Sequence, residues 1–479
     1  MRSRRQMACG AALVSKWCVP LVLSLGLYTG VSASERPLSL AEAATRALAS
    51  GPDARIASLE TGQAEDALAE ARSAYLPRAS ISSQAGYSNR LDERLRTVDR
   101  NGRERTYGLS SLGSDQGWFN FYIDQLLFDL GTWRGMERAA LSAEAGRISE
   151  AEKREAITLD VLRHYVEVLR FDEIVALDDR RIAVAGRLDA HAASLLAAGR
   201  IVTSEREEAA LAFETLRMHA AERAGTRTAA RRALANATGA EPDETWTLVP
   251  ESLPSAAPVV ADTNAWNAEA ELATAPEVQL LNLRKRMEEV NVAAARAGRY
   301  PTVGLRAGYS NYGAQRYDNF PDELSVGVDL TVPLFDGFKA RNAIAGALKG
   351  AEIARVRYAS MLERKRARVQ ELARELDMGM RKPPLAARQA AVAEERLRLA
   401  EVRLQSDRGT LSDVMTASEA SGRDARAAVN ARFDVVVVWA TLQRELGRLS
   451  AAIVGPSEGE AQAPAERSAE VAPEHAERQ

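Results

Sequence analysis

One plan occurs twice along this chain, and it limits the fold more than any single residue does. In the second half, Tyr300-Pro301 opens an alternating run that ends near Tyr312, a polar loop leads to Glu323, and a second alternating run starts at Leu324. That run ends at Val332-Pro333-Leu334-Phe335-Asp336-Gly337, where a very long helical pattern begins. In the first half Tyr75-Leu76-Pro77 opens a similar run, and Leu127-Phe128-Asp129-Leu130-Gly131 precedes another long helix. The repeated unit is strand, loop, strand, long helix.

The strand signal is a period of two. Ala79, Ile81, Ser83, Ala85 and Tyr87 alternate with Ser80, Ser82, Gln84 and Gly86, while Phe119, Phe121, Ile123 and Leu127 oppose Asn120, Tyr122 and Asp124. Val303, Leu305, Ala307 and Tyr309 form one face of the third run, and Leu324, Val326, Val328, Leu330 and Val332 one face of the fourth. A soluble sandwich would alternate as well, but runs of about ten residues with aromatics near their ends match tilted membrane-spanning strands. Four strands cannot close around anything, because closed membrane barrels have about eight or more. An open edge in lipid leaves backbone groups without partners. Several chains must then share one barrel, and three would supply twelve strands. Residues 90–115, charged and rich in glycine and serine, read as a long exposed loop.

The helical patterns run to roughly Ala198 and Ser406, on the order of 90 to 100 Å each at about 1.5 Å per residue. Asp129 and Asp336 stand where an N-cap acceptor is wanted, and Gly199 and Gly409 where a left-handed C-terminal cap is expected. Shorter helices return over about 204–236 and 412–449. Helices over about 38–74 and 272–297, stopped by Pro77 and Pro301, supply the missing length if stacked end to end with the returning pair. In the first long helix Leu159, Leu162, Val166 and Leu169 form one stripe, and Val161, Tyr165 and Val168 an adjacent one. Two stripes suit a helix with a neighbour on either side, as in a cylinder of helices. The fold class is therefore mainly α with transmembrane β, built by internal duplication.

The chain divides into a basic and apolar signal segment over 1–33, a first repeat over 34–236, a connector over 237–271, a second repeat over 272–454 and a tail over 455–479. The signal reading rests on Arg2, Arg4, Arg5 and Lys16, the apolar stretch to Val31 and the small residues that follow; an uncleaved anchor is the alternative. Both cysteines, Cys9 and Cys18, lie in it, so the mature chain could form neither a disulfide nor a thiolate metal site. No small-residue lipobox precedes Cys18. Removing the segment takes four positive charges and no acid from a chain of net charge −3, which argues against a nucleic-acid partner. The connector reads either as an ordered band around the rod or as a flexible linker. The tail, poor in large apolar residues, reads as disordered.

These features resemble the TolC family of outer-membrane export ducts over about 38–450. The signs are the duplicated plan, the junction Val332 to Gly337, the prolines Pro77 and Pro301, and the hairpin tip Gly409-Thr410-Leu411-Ser412-Asp413-Val414. The resemblance implies a homotrimer in the outer membrane and periplasm, with a shared twelve-stranded β-barrel continued by an α-helical tunnel. It also implies a periplasmic membrane-fusion adaptor and an inner-membrane ABC transporter or proton-driven pump as partners, outer-membrane lipid around the barrel, and no cofactor. It places an acidic periplasmic gate at Asp413, with Thr416 where the family has a second acid and Glu205 offered by the first hairpin. Capping of its own helix is the alternative reading of Asp413, and the two roles are compatible. Partner docking would fall at Gly199, Thr203, Ser204, Gly409, Thr410 and Leu411, and the helix-strand junctions at Pro77, Asp129, Pro301, Pro333, Asp336 and Gly337. The lack of a lipobox favours ducts of type I protein secretion over drug efflux.

Enzyme readings find little support. His164, His191, His219 and His475 have no metal-ligand spacing, and no phosphate loop, dinucleotide fingerprint or nucleophile elbow occurs. Aromatics are only 5%, fewer than a compact enzyme core normally carries. Asp178-Asp179 and Glu205, Glu207, Glu208 read as solvated helix faces. A periplasmic coiled-coil structural or adaptor protein is the alternative from another class, and it leaves the four alternating runs without a purpose.

Overall fold

The computed structural model describes residues 36–87, 94–98, 102–108, 115–240, 246–254, 272–314, 323–406 and 408–455. The segment expected to be a signal, with both cysteines, most of the expected connector including Trp266, and the residues beyond Gly455 lie outside them. The first repeat contains β1 (Arg36–Leu38), α1 (Leu40–Ser50), α2 (Pro52–Ser73), β2 (Arg78–Tyr87), β3 (Arg94–Val98), β4 (Glu104–Gly108), β5 (Asp115–Phe128), α3 (Leu130–Ala197) and α4 (Thr203–Thr238). After β6 (Trp246–Leu248) the second holds α5 (Pro276–Ala297), β7 (Thr302–Ala314), β8 (Glu323–Thr331), α6 (Lys339–Gln405), α7 (Leu411–Glu445) and α8 (Leu449–Val454).

The long strands form one antiparallel sheet in the order β2-β5-β7-β8. Its registers stack Ile81, Phe121, Tyr309 and Leu324 in one row and Ala79, Ile123, Ala307 and Val326 in the next. The opposite face carries Ser82, Asn120, Ser310 and Glu323, and beyond them Arg306 bound to Asp124 at 2.6 Å. One face is apolar and one polar, as the alternation predicts. Leu127, expected on the apolar face by strict alternation, is instead passed over by a register shift. This bulge moves Phe128 into the apolar row with Val303 and Leu330. The segment expected to be a plain loop over 90–115 contains the hairpin β3–β4, in which Arg94 pairs with Gly108 and Val98 with Glu104. Gly102, with φ +71°, supplies the left-handed residue between the two strands.

The helices α3 and α6 have 68 and 67 residues, about 100 Å each. The end-to-end stacking expected of the shorter helices is visible at two left-handed glycines. Gly239, closing α4, lies against the Ser50 carbonyl at the end of α1, and Gly447, after α7, lies against Ala275 and Pro276 at the start of α5. At both places a Cβ would meet its neighbour within 3 Å. The double proline Pro383-Pro384 sits inside α6 and removes the hydrogen bonds that would reach the carbonyls of Gly379 and Met380.

The main core surrounds the middle of α3, where Val161, Leu162, Tyr165, Val166 and Val168 meet α1, α7, Trp246 and Leu248. Both stripes read from the sequence are buried there. The Tyr165 hydroxyl gathers four groups of this region. It approaches the Leu38 carbonyl at 2.7 Å, accepts from the Val249 N–H at 2.9 Å, and lies 3.1 Å from the Val249 carbonyl and the Ser252 Oγ. One side chain thus ties β1 and the described part of the connector to the rod. Lys365 on α6 is buried between Glu277 of α5 and Glu445 of α7, at 2.5 Å from each. Glu155 on α3 accepts from the Leu449 and Ser450 N–H groups and caps α8. Replacing Tyr165 by phenylalanine is expected to destabilise the helical body by about 1 to 3 kcal/mol, because it leaves buried backbone groups without a partner. Denaturant unfolding followed by the helical signal reads this, and an unchanged midpoint contradicts it.

Candidate functional site

Each repeat ends in a helical hairpin, and the two tips lie together. At the first, the Gly199 N–H bonds to the Leu196 carbonyl and the Arg200 N–H to the Leu195 carbonyl, both at 2.9 Å, with Gly199 at φ +69°. This is the left-handed closure expected at that glycine. The second tip departs from expectation. There the Arg408 N–H already closes the turn on Arg403 at 2.8 Å, and Gly409 does not have a left-handed backbone. A Cβ at Gly409 would come within 3.0 Å of Arg403 Cβ, so close approach is what demands glycine there.

After that turn, Thr410 and Asp413 form a reciprocal cap on α7. The Thr410 Oγ1 accepts from the Asp413 N–H at 3.2 Å, while Asp413 Oδ2 accepts from the Thr410 N–H at 3.0 Å and hydroxyl at 2.7 Å. The hydrogen bonds from Thr410, with Arg403 nearby, hold the Asp413 carboxyl below the usual carboxylate range. Its Oδ1 has no hydrogen bond among the described residues. Thr416 is exposed one turn further on. At the other tip Glu205 accepts from the Val202 N–H at 3.1 Å, and Thr203 and Ser204 are exposed on the first turn of α4. Leu411, expected on the docking surface, is instead buried with Ala192 and Ala209, so it joins the two hairpins and offers a partner little surface.

The junction residues at the other end of the rods also depart from strict repetition. Asp129 directly precedes α3 and accepts from the Gly131 N–H at 2.8 Å, while Tyr75 beside Pro77 donates to the Asp129 carbonyl at 2.7 Å. Asp336, expected to cap α6 in the same way, lies three residues before Lys339 and reaches the Ala340 N–H at 2.7 Å. Gly337 and Phe338, both left-handed at φ 64° and 66°, occupy the extra length. Pro333 is exposed in the same turn, and Pro301 begins the approach to β7.

About twenty residues back from the first tip lies a cluster that the sequence reading missed. Asp178, read as part of a solvated face, has no exposed surface. Its Oδ2 accepts from Arg223 Nε at 2.5 Å, and Arg181 and Arg426 lie 3.6 and 3.8 Å from Oδ1. One carboxylate from α3 thus faces guanidinium groups from α3, α4 and α7. The signal was present: Val166, Ile174 and Asp178 lie on one face at multiples of four, so the acid falls on the apolar stripe. Arg181 passes over Gly422 so closely that a Cβ there would lie 2.1 Å from its Cζ. Burial and the charge of Arg426 make the Arg181 cation easier to deprotonate than usual, against the pull of Asp178. A cavity of about 690 Å³ opens beside this seam, among α3, α4 and α7.

Residues 268–448 match the family model described as outer membrane efflux protein. Outer membrane protein TolC of Vibrio cholerae is 25% identical over 451 residues, which cover 91% of this chain and 96% of that protein. The chain is similar to proteins of the TolC family. Its fold agrees. The outer-membrane channel CmeC of Campylobacter jejuni superposes with a TM-score of 0.69 at 14% identity, over 90% of this chain and 89% of that one. The outer membrane protein VceC of Vibrio cholerae gives 0.67 at 16%, over 85% and 96%.

The matching family and the relatives named here are outer-membrane proteins. Proteins of this family are channels rather than enzymes. Among the described residues no helix is long and apolar enough to cross a membrane. Two outcomes are expected at the tips. Asp178→Ala leaves three arginines facing one another without their carboxylate and is expected to cost about 3 kcal/mol in unfolding of the helical signal; an unchanged midpoint contradicts the pinning role. The Asp413 cap is fully present above the ordinary carboxylate pKa and is lost as pH falls through its lowered folded-state value. Amide exchange at residues 411–414, corrected for intrinsic rates, is therefore expected to quicken as pH falls below about 4. In Asp413→Ala that pH dependence should vanish.

Proposed function

We propose that three copies of this chain form a passive duct, with a twelve-stranded barrel in the outer membrane and an α-helical tunnel in the periplasm. The observation that carries the reading is the four-stranded sheet with two open edges, β2 and β8. Neither edge can face lipid, and joining β8 of one copy to β2 of the next satisfies both. The helices support the same assembly. Met378, Leu385, Val392 and Leu399 repeat every seven residues along α6 and are exposed in the chain, as are Leu211 and Met218, seven apart on α4. Such seams are coiled-coil surfaces without a partner.

In this reading the tips are the periplasmic entrance. Asp413 from three copies forms an acidic ring through its unengaged Oδ1, while Thr416 leaves no second ring. The exposed Thr203, Ser204 and Glu205, with Gly199 and Thr410, meet a periplasmic adaptor that links the duct to an inner-membrane transporter. The mature chain begins after the signal segment 1–33. Its cargo is a protein secreted by a type I system, an adenylate cyclase-haemolysin toxin being the first to test, and the absent lipobox is the supporting feature. Small-molecule efflux is the second reading, favoured by the description of the matching family as efflux proteins.

Deleting the gene and analysing both the culture medium and drug sensitivity separates the two. Loss of a secreted protein with unchanged drug sensitivity supports protein export, and the reverse result supports efflux. The assembly itself is tested by Val392→Glu, which puts a charge into the α6 seam. Dissociation of the detergent-extracted trimer with unchanged helix content is expected, and an intact trimer contradicts the seam.

A further inference from the structure

The turn from β8 into α6 exposes Leu334 at 93%, Phe335 at 78% and Phe338 at 59% of their surface. Phe335 and Phe338 meet edge to face with ring centroids 5.6 Å apart. Phe338 is the non-glycine residue with positive φ among the described residues, and an aromatic side chain is costly there. Such strain persists where surrounding structure imposes it, often at a site that holds a ligand. The rings flank a groove of about 380 Å³ that is also lined by Asp336, whose carboxylate accepts from the Ala340 N–H at 2.7 Å, by Arg299, from the α5–β7 turn, and by Arg341, from the first turn of α6.

Neither arginine has a carboxylate partner among the described residues, and neither do Arg296 and Lys339 beside them. Arginines along the rods, by contrast, pair repeatedly with acids of their own or a neighbouring helix. The unpaired cations gather where the strands end, and the apolar row Leu324, Val326, Val328, Leu330 and Val332 leads down to them along β8. With the helices in the periplasm, this level is the periplasmic surface of the outer membrane. The opposite edge, which a second copy of the chain would bring, carries Arg72 and Arg78, likewise without acid partners, with the exposed Glu70 two residues before Arg72.

We propose that this groove binds an anionic phospholipid of the periplasmic leaflet, its phosphate between Arg299 and Arg341 and its acyl chains over Leu334, Phe335 and Phe338. The inference rests on the sheet crossing the outer membrane. Guanidinium groups suit phosphate oxygens, and basic residues at a membrane surface attract anionic headgroups. Apolar contact beside the charges selects a lipid over free phosphate.

The test begins with recovery of the full-length chain from the outer-membrane fraction, since its absence there removes the membrane reading and this site together. The detergent-extracted protein is then stripped of lipid, mixed with phosphatidylglycerol or phosphatidylcholine, and weighed by native mass spectrometry. Phosphatidylglycerol is expected to be retained in preference, with about fivefold weaker retention for each of Arg299→Gln and Arg341→Gln. Phe335→Ser, which leaves every charge in place, is expected to weaken retention of the same lipid. Excess inorganic phosphate is expected not to displace it. Equal retention by wild type and the double arginine variant, no preference between the two lipids, unchanged retention in Phe335→Ser, or displacement by inorganic phosphate would each overturn the lipid site while leaving the duct intact.

Discussion

An unpaired strand edge cannot face the hydrocarbon of a bilayer, and the organisation of this molecule follows from that cost. The sheet β2-β5-β7-β8 has one apolar face, one polar face and two edges. The faces suit a wall between lipid and water. The edges require other edges, and copies of the same chain are the simplest source. Since β8 leads straight into α6 and α2 into β2, whatever joins the edges also brings the rods of adjacent copies together. In the proposed assembly the exposed seams on α4 and α6 are a consequence of the same closure.

Duplication supplies the rest of the architecture. Each half contributes two strands and two rods, and left-handed glycines at Gly239 and Gly447 let a returning helix end against the start of the helix that continues it. Where the rods approach their tips, apolar contact thins and charge takes over. Asp178 with Arg181, Arg223 and Arg426 keys α3 to α4 and α7, and further down the Arg206–Asp189 ion pair, the small cluster around Leu411 and the two caps hold the hairpins. Local stability should therefore decrease toward the tips, which suits the entrance role proposed for them. The prolines in α6 lie at a comparable distance from the tips and weaken the helix there.

Much of this was legible because periodicity survives tertiary context. The period of two located all four long strands, and the two stripes of α3 located the core. What escaped notice depended on single residues. The shift at Leu127 leaves the hydrophobic pattern nearly intact, and a left-handed Phe338 has no sequence signature because aromatics so seldom adopt that backbone. The segment that forms the hairpin β3–β4 is rich in charged residues, glycine and serine, so composition suggested a loop. Asp178 was read by its charge rather than its place on the stripe, and the partners that neutralise it come from residues 45 and 248 positions away. The seven-residue repeat from Met378 to Leu399 was present in the letters. Likewise Leu411 looks like a tip residue until the opposite hairpin is in place.

The most direct test of the shared barrel is the native mass of the mature protein extracted by detergent from isolated outer membranes. The account predicts the mass of three chains. A monomer recovered without detergent would contradict it, because the edges of β2 and β8 would then have no neighbour and the sheet could not lie in the bilayer.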